Sequence, residues 1–313
     1  MKPDVLVNGL LVPHVMAALE ERYTLHKPYE APEREAFLRE VGERVRGIAT
    51  SNFYGVKRSL IDACPKLEII SSVGVGTESH DVEYARQRGI KVANTPDVLN
   101  DDVANLAILM LLATTRKLVP YDRFVREGRW VREGEPPLAQ GIAGKQIGVV
   151  GMGRIGKAIG EKLSAFGCDI AYFARHERPE VPYRYYADLL ELAHDSAALI
   201  VIVPGGDATN RLIDRRIMDA LGPEGTLINV ARGSVVDEPA LIAALQEGQL
   251  GGAGLDVFAE EPKVPEALLA MDNVVLQPHM GSATVETRRA MGDLMLANLA
   301  AHFEGRPLPS PLF

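Results

Sequence analysis

The stretch Gln146-Ile147-Gly148-Val149-Val150-Gly151-Met152-Gly153-Arg154-Ile155-Gly156-Lys157 joins an apolar run to a G-x-G-x-x-G turn, and a helical pattern continues from it to Phe166. Strand, glycine turn and helix in that order make a dinucleotide-binding unit. Gly151 allows the tight turn, Gly153 lets backbone approach a pyrophosphate, and Gly156 lets helix and strand pack closely. The N–H groups at the helix start, around Arg154 and Ile155, attract the anion.

Beyond this unit, strand candidates recur at Asp169–Phe173, Leu199–Val203, Thr226–Val230, Gly252–Val257 and Val274–Gln277, with helical stretches between them. With Gln146–Val150 they predict a six-stranded, doubly wound domain of the Rossmann type. The second strand runs into Ala174-Arg175-His176-Glu177-Arg178. An acidic residue about 20 positions past the fingerprint serves the ribose 2′-hydroxyl in NAD sites. Here the position 19 past Gly156 (175 − 156) is Arg175, and a guanidinium suits a 2′-phosphate instead. Arg175, with His176 beside it, favours NADP(H). A second reading leaves Arg175 and Arg178 solvated, with Glu177 on the ribose and NAD(H) as the cofactor.

Upstream, Val5-Leu6-Val7, Gly47-Ile48-Ala49, Glu68-Ile69-Ile70 and Lys91-Val92-Ala93 alternate with helix-like stretches, a βαβ rhythm that predicts a second parallel sheet. Pro96 to Trp130 reads as a hinge followed by one long helix, its start marked by Asp101 and Asp102. Thr284 to Phe303 reads as a final helix that returns to the first domain, and Arg306 to Leu312 as a short Pro-rich tail. At 313 residues, two domains are expected.

A net charge of -8, without a Lys/Arg-rich run, argues against a nucleic-acid partner. The apolar stretch Val103 to Ala113 is about half a bilayer span, and the N-terminus lacks a signal-peptide pattern, so no membrane is expected and the location is read as cytoplasmic. Cys64 and Cys168 are too few for a disulfide framework and read as buried thiols in a reducing compartment. The seven histidines show no paired ligand spacing, and no metal is expected.

Three stretches fall at predicted strand ends, where such sheets bind ligands: Asn229 to Ser234, Gly254 to Pro262, and Gln277 to Ser282. Reduction of a 2-keto acid requires a cation for the carboxylate and carbonyl, an acid for the developing alkoxide, and a partner that keeps that acid charged. Arg232, His279 and Glu261 supply these in turn. Taken singly, Arg232 could cap a strand, Glu261 could belong to an acidic turn, and His279 could be a core histidine. Their joint placement favours catalysis.

Together with the glycine fingerprint, the runs Ser72-Val73-Gly74-Val75-Gly76, Asn94-Thr95-Pro96-Asp97-Val98-Leu99, Ala231-Arg232-Gly233, Gly254 through Pro262, and Pro278-His279-Met280-Gly281-Ser282-Ala283-Thr284 resemble the D-isomer-specific 2-hydroxyacid dehydrogenase family. The likeness is strongest to its glyoxylate/hydroxypyruvate reductase and 2-ketogluconate reductase branch. It implies a Rossmann cofactor domain, residues 99–284, inserted in a flavodoxin-like substrate domain formed by residues 1–98 and 285–313. It also implies that the backbone of Val75 and Gly76 receives the substrate carboxylate, and that Ser282 lies at the substrate pocket. Asp256 is placed near the nicotinamide, and Val203, Pro204, Thr209, Val230 and Ala231 near the cofactor. Members are typically homodimers joined through the long helix. The expected reaction is reduction of small 2-keto acids to D-2-hydroxy acids.

Two departures stand out. Thr77-Glu78-Ser79-His80 replaces a stretch where the family commonly has Asp, and Pro204-Gly205-Gly206-Asp207 replaces its Pro-Leu-Thr-Pro. Alternative functions on this fold are a dinucleotide-sensing binding protein and a formate- or phosphite-type dehydrogenase. Phe53, Tyr54 and Trp130 are candidates for lining the substituent pocket, against an ordinary role in core or interface packing.

Overall fold

The computed structural model describes residues 2–313. In chain order its elements are β1 (Asp4–Asn8), α1 (Pro13–Arg22), β2 (Thr24–His26), α2 (Arg34–Val41), β3 (Gly47–Ser51), α3 (Arg58–Asp62), β4 (Ile69–Val73), α4 (Val82–Gln87) and β5 (Lys91–Ala93). Then follow α5 (Asn100–Thr115), α6 (Leu118–Arg126), α7 (Arg129–Glu133), β6 (Gln146–Val150), α8 (Arg154–Ala165), β7 (Asp169–Phe173), β8 (Arg184–Tyr186), α9 (Leu189–Asp195), β9 (Ala198–Val201) and α10 (Arg215–Leu221). The chain ends with β10 (Thr226–Asn229), α11 (Glu238–Gln246), β11 (Gly252–Leu255), α12 (Glu266–Leu269), β12 (Val274–Leu276) and α13 (Val285–Phe303). By internal contacts the chain divides into two units, one formed by the chain up to Leu99 with Thr284–Phe313, the other by Asn100–Ala283.

The first unit is a five-stranded parallel sheet ordered β2-β1-β3-β4-β5, the flavodoxin-like order. Val5, Leu6 and Val7 have no exposed surface, as continuous apolar strands covered on both faces require. The last helix, α13, packs on β4: the Ser71 hydroxyl donates to the Met295 carbonyl at 3.0 Å. The Pro-rich tail is ordered rather than loose, with Leu312 N–H donating to the Val92 carbonyl at 2.8 Å and Pro311 bridging Ala93.

Asn298, which stands among apolar residues in the pattern of α13, anchors that tail. Its amide nitrogen donates to the Leu294 carbonyl and the Ser310 hydroxyl at 2.9 and 2.8 Å, its oxygen accepts from the Ser310 N–H, and the Ser310 hydroxyl donates to the Asn94 carbonyl at 2.7 Å.

The second unit is a parallel sheet ordered β12-β11-β10-β9-β6-β7-β8. Counted from β6, this is the Rossmann order with a seventh strand, not the six expected. Both strands missed in the sequence, β2 and β8, are three-residue edge strands, too short for a two-residue periodicity to register.

The single long helix is also corrected. The chain breaks at Lys117 (φ 52°) and Gly128 (φ 67°), and α6 is bent 58° from α5. Pro120 accounts for the first break, because in an uninterrupted helix its ring would meet the Arg116 carbonyl and its missing N–H would leave that carbonyl unpaired. Helix α5 is a buried core helix, with Val103, Ala104, Ala107 and Leu111 inside. Among the described residues no single helix is long and apolar enough to cross a membrane.

Cys64 and Cys168 are free and buried, and burial pushes the Cys64 thiol up to about 11. Phe53 and Trp130 are 70% and 58% exposed, which removes a core role from both.

Asn298→Ala should lower the unfolding free energy by about 2–3 kcal/mol, since it strands one buried donor of the tail, the Ser310 N–H, and leaves the Ser310 hydroxyl oxygen without its donor. Urea unfolding followed by circular dichroism measures the change, and an unshifted midpoint would contradict the anchoring role.

Candidate active site

All three catalytic candidates lie in the second unit, at the carboxyl ends of β10, β11 and β12. Strand β11 stops at Leu255, two residues earlier than the sequence pattern suggests, which releases Asp256 into the following turn. Asp256 is 1% exposed. Its carboxylate accepts from the N–H groups of Met280 and Gly281 at 2.6 and 2.9 Å, and its carbonyl accepts from the His279 N–H at 2.8 Å.

These bonds hold His279 in the left-handed region at φ 56°, a conformation that non-glycine residues seldom adopt without compensation. Burial raises the Asp256 pKa above the ordinary carboxylate value; the two amides and the His279 charge oppose this only in part.

The side chain of His279 meets Glu261, with 2.7 Å between Nδ1 and Oε2. The other Glu261 oxygen accepts from the Phe258 N–H at 3.1 Å. His279 is 41% exposed at its side chain and Glu261 24%, so the carboxylate is the more sheltered partner and the ring stays open to a ligand. Burial pushes the Glu261 pKa up, but the His279 hydrogen bond and charge, the Phe258 amide and the nearby Arg232 together hold it below its usual value.

Arg232 is half-buried, and one terminal nitrogen donates to the Ala231 carbonyl at 2.6 Å. Its turn is fixed by a residue the sequence reading passed over. Asn229, 1% exposed at the end of β10, donates to the Arg232 carbonyl at 3.0 Å and accepts from the Ala231 N–H at 3.1 Å. A buried Asn closing an apolar strand was the available signal.

The next residue, Gly233, lies so close to the Phe258–Ala259 backbone that an added Cβ would fall 1.9 Å from the Phe258 carbonyl carbon. This contact brings the Arg232 turn against the one carrying Glu261. Glu238 ties them further by accepting from the Ala259 N–H at 3.1 Å.

The glycine turn has the backbone geometry that a dinucleotide cradle requires. Gly151 stands at φ 109°, and a Cβ on Gly156 would lie 2.1 Å from the Gly151 carbonyl oxygen, so helix and turn close on each other. A Cβ on Gly153 would meet open space, the room a pyrophosphate needs, and no side chain caps the start of α8 beyond it. Arg154 is exposed and Ile155 half-buried at that start.

Arg175 and His176 follow β7, both exposed, and Arg175 has no side-chain partner among the described residues. Val203 is half-buried and Pro204 exposed after β9. The Thr209 hydroxyl donates to the Pro204 carbonyl at 2.6 Å, which closes the Gly205-Gly206-Asp207 turn. Val230 and Ala231 are buried, and Ser282 is half-buried.

Val75 and Gly76 belong to the first unit, at the carboxyl end of β4. Their N–H groups have no partner among the described residues. The turn is held from outside: Gly74 N–H donates to the Thr95 hydroxyl at 2.9 Å, and the Asn94 amide donates to the Val75 carbonyl at 3.1 Å. Where the family motif is lost, His80 clasps the loop, its Nε2 lying 3.0 Å from the Ser72 hydroxyl. Burial lowers its pKa to about 4, so it is neutral at physiological pH.

A Rossmann sheet with a glycine cradle, and an Arg, Glu and His gathered at its strand ends, defines a nicotinamide-dinucleotide oxidoreductase. The profile of the D-isomer specific 2-hydroxyacid dehydrogenase NAD binding domain matches residues 108–281. The chain is 47% identical to hydroxyphenylpyruvate reductase of Plectranthus scutellarioides over 94% of both sequences, and 45% identical to 2-ketogluconate reductase of Gluconobacter oxydans over 99% of both. It superposes with a TM-score of 0.92 on an NADPH-dependent glyoxylate/hydroxypyruvate reductase of Sinorhizobium meliloti in complex with NADP and malonate. That protein is 44% identical, with 100% of this chain and 97% of that one covered. The chain belongs to the D-isomer-specific 2-hydroxyacid dehydrogenase family, and it is an enzyme of that class.

Because the Glu261 pKa is depressed on folding, its contribution to stability is present at neutral pH and is lost as pH falls through the folded value. Glu261→Gln should therefore be less stable than the parent at about pH 7, with the gap closing as pH falls through the folded value. Urea midpoints across that range test this, and a pH-independent gap would remove the ion pair as its cause.

Proposed function

We propose that this chain is an NADPH-preferring reductase of small 2-keto acids of the glyoxylate, hydroxypyruvate or 2-ketogluconate type, giving D-2-hydroxy acids, with His279 as the general acid. The observation that carries the reading is the 2.7 Å bond between His279 Nδ1 and Glu261, in a turn built beside Arg232. Glu261 occupies Nδ1 and fixes the ring, which leaves Nε2 as the nitrogen free to donate.

Arg232 holds the substrate carboxylate with its planar fork and polarises the keto oxygen. The N–H groups of Val75 and Gly76 are assigned to the substrate carboxylate, and Ser282 to the substrate. When bound, the reduced nicotinamide supplies the hydride. As it reaches the carbonyl carbon, His279 Nε2 gives its proton to the carbonyl oxygen; the C=O π pair becomes the new O–H bond, and the hydroxy acid leaves. Solvent returns the proton to His279.

Gly151, Gly153, Arg154, Ile155 and Gly156 are assigned to the pyrophosphate, and Arg175 and His176 to the 2′-phosphate. Val203, Pro204, Thr209, Val230, Ala231 and Asp256 are assigned to the nicotinamide half. The exposed, unpartnered guanidinium of Arg175 supports NADP(H), as does the NADPH dependence of the Sinorhizobium relative. We also propose a homodimer formed through α5 to α7, where Leu118, Val125, Trp130 and Val131 are exposed.

Oxidation of NADPH, and separately NADH, with glyoxylate, hydroxypyruvate and 2-ketogluconate tests the assignment; no turnover with any of them would overturn it. His279→Ala should lower the reduction rate by about two to four orders of magnitude while the dissociation constant of NADPH stays near that of the parent. Near-parental turnover would take His279 out of the mechanism. For Arg175→Ala, the expected outcome is a roughly ten- to hundredfold loss of NADPH affinity with little change for NADH. Equal losses would assign Arg175 no phosphate.

A further inference from the structure

Arg288 sits in the first two turns of α13, within the first unit. Its guanidinium has no hydrogen-bond or ion-pair partner among the described residues, although the residue is half-buried. Burial depresses its pKa, and no acidic group acts on it. The location adds to the cost, because a cation near a helix start opposes the positive end of the helix dipole. Thr284 caps this helix start through the Thr287 N–H. Such an arrangement destabilises a fold, and a group retained at that cost is a candidate for ligand binding.

The packing of α13 on β4 fixes where Arg288 lies. The helix runs antiparallel to the strand: His302 Nε2 meets the Glu68 carboxylate at 2.9 Å, and the Met295 carbonyl meets the Ser71 hydroxyl at 3.0 Å. Seven helical residues rise about 10.5 Å and three strand residues about 10 Å, so the two elements keep step. Residues 288, 295 and 302 are heptad-spaced and share a helix face, drifting only about 20° per heptad.

One further step of seven puts Arg288 beside position 74, at the carboxyl end of β4, where the Gly74-Val75-Gly76 turn begins. Gly292, one turn on, gives the same direction. A Cβ there would lie 2.4 Å from Val15 and 2.9 Å from His14, at the start of α1 just past the carboxyl end of β1. Arg288 thus falls level with the carboxyl edge of this sheet, where β4 ends.

We propose that Arg288 is a specificity-determining residue, which holds an oxygen-bearing group on C3 of the 2-keto acid, a hydroxyl or a second carboxylate, against the Gly74-Val75-Gly76 turn. The proposal rests on the keto-acid reductase reading and deepens it. Val75 and Gly76 offer neutral donors to the carboxylate shared by every substrate. A desolvated, unpaired guanidinium adds a forked, charged donor that an acid bearing only hydrogen at C2 has nothing to meet.

The test compares Arg288→Met and Arg288→Lys with the parent enzyme on hydroxypyruvate and glyoxylate. For Arg288→Met the KM for hydroxypyruvate should rise by roughly ten- to hundredfold relative to that for glyoxylate, with kcat affected much less, and Arg288→Lys should recover part of the difference. The Tm should stay level or rise, because an unpaired, partly buried charge is removed.

An equal rise for both acids would assign Arg288 to the common carboxylate and overturn the proposal. So would an unchanged KM ratio, or a fall in Tm as the only effect. If the parent reduces neither of these acids nor 2-ketogluconate, the reductase reading fails by itself. Calorimetric titration of the NADP-loaded protein then decides for Arg288: Arg288→Met should lose malonate binding more than acetate binding, and equal affinities in parent and variant would overturn the assignment.

Discussion

A carboxylate buried beneath a turn sets the geometry of the strand ends in the second unit. Asp256 is inaccessible to solvent, and burial makes its charge costly. It is retained with two backbone N–H bonds to one side chain, and those bonds bend the chain after β12 so that His279 takes a positive φ. That conformation costs roughly 1–3 kcal/mol at a non-glycine residue. The strain and the buried charge therefore support each other: without Asp256 the turn would relax, and without the turn the carboxylate would have no donors. The result is an imidazole set in one orientation, with Glu261 on Nδ1, before any substrate arrives.

A close approach of backbones supplies the other half of the geometry. Arg232 and Glu261 are 29 residues apart in sequence (261 − 232) and follow adjacent parallel strands, β10 and β11. Parallel neighbours leave their following turns side by side, but contact between the turns requires that no side chain stand between them. Gly233 meets that requirement, and any larger residue would collide with the Phe258–Ala259 backbone rather than with a movable side chain. With the turns in contact, the Arg232 charge reaches Glu261 and helps keep it ionised. Asn229 acts on the same turn, accepting from the buried Ala231 N–H and giving the Arg232 carbonyl a second donor beside the Val235 N–H.

The sequence was most readable where a motif states a backbone requirement. The three fingerprint glycines are each needed for a different reason, two by close contact and one by open space, and these are the reasons their spacing suggests. Arg232, Glu261 and His279 were legible because each follows an apolar run that ends at a turn. Asp256 and Asn229 were less so, since a polar residue at a strand end reads as strand or as turn until the register is fixed. The edge strands β2 and β8 were hidden by brevity. The break at Lys117 was hidden because the apolar periodicity of α5 continues to Leu118, and only Pro120, with its demand on the carbonyl of Arg116, marks the interruption. The anchoring role of Asn298 has no local signal, because its partners lie in the tail, twelve residues further along the chain.

The features that a stability argument would remove gather at one kind of place. The strained His279, the buried Asp256, the bare amides of Val75 and Gly76 and the unpaired Arg288 all stand at the carboxyl edge of a parallel sheet. In such sheets every strand ends in a loop that precedes a helix, so this edge carries free N–H groups and positive helix ends with no strand partner to satisfy them. Elsewhere in the same sheets the chain is satisfied and dry, as the fully buried residues Val5, Leu6 and Val7 of β1 and Leu199 and Ile200 of β9 illustrate. The interior of each sheet supplies the stability, and the carboxyl edge carries the groups that lower it. That division explains why unrelated irregularities of charge, backbone and packing occur together: each is tolerated where the fold leaves backbone donors without strand partners.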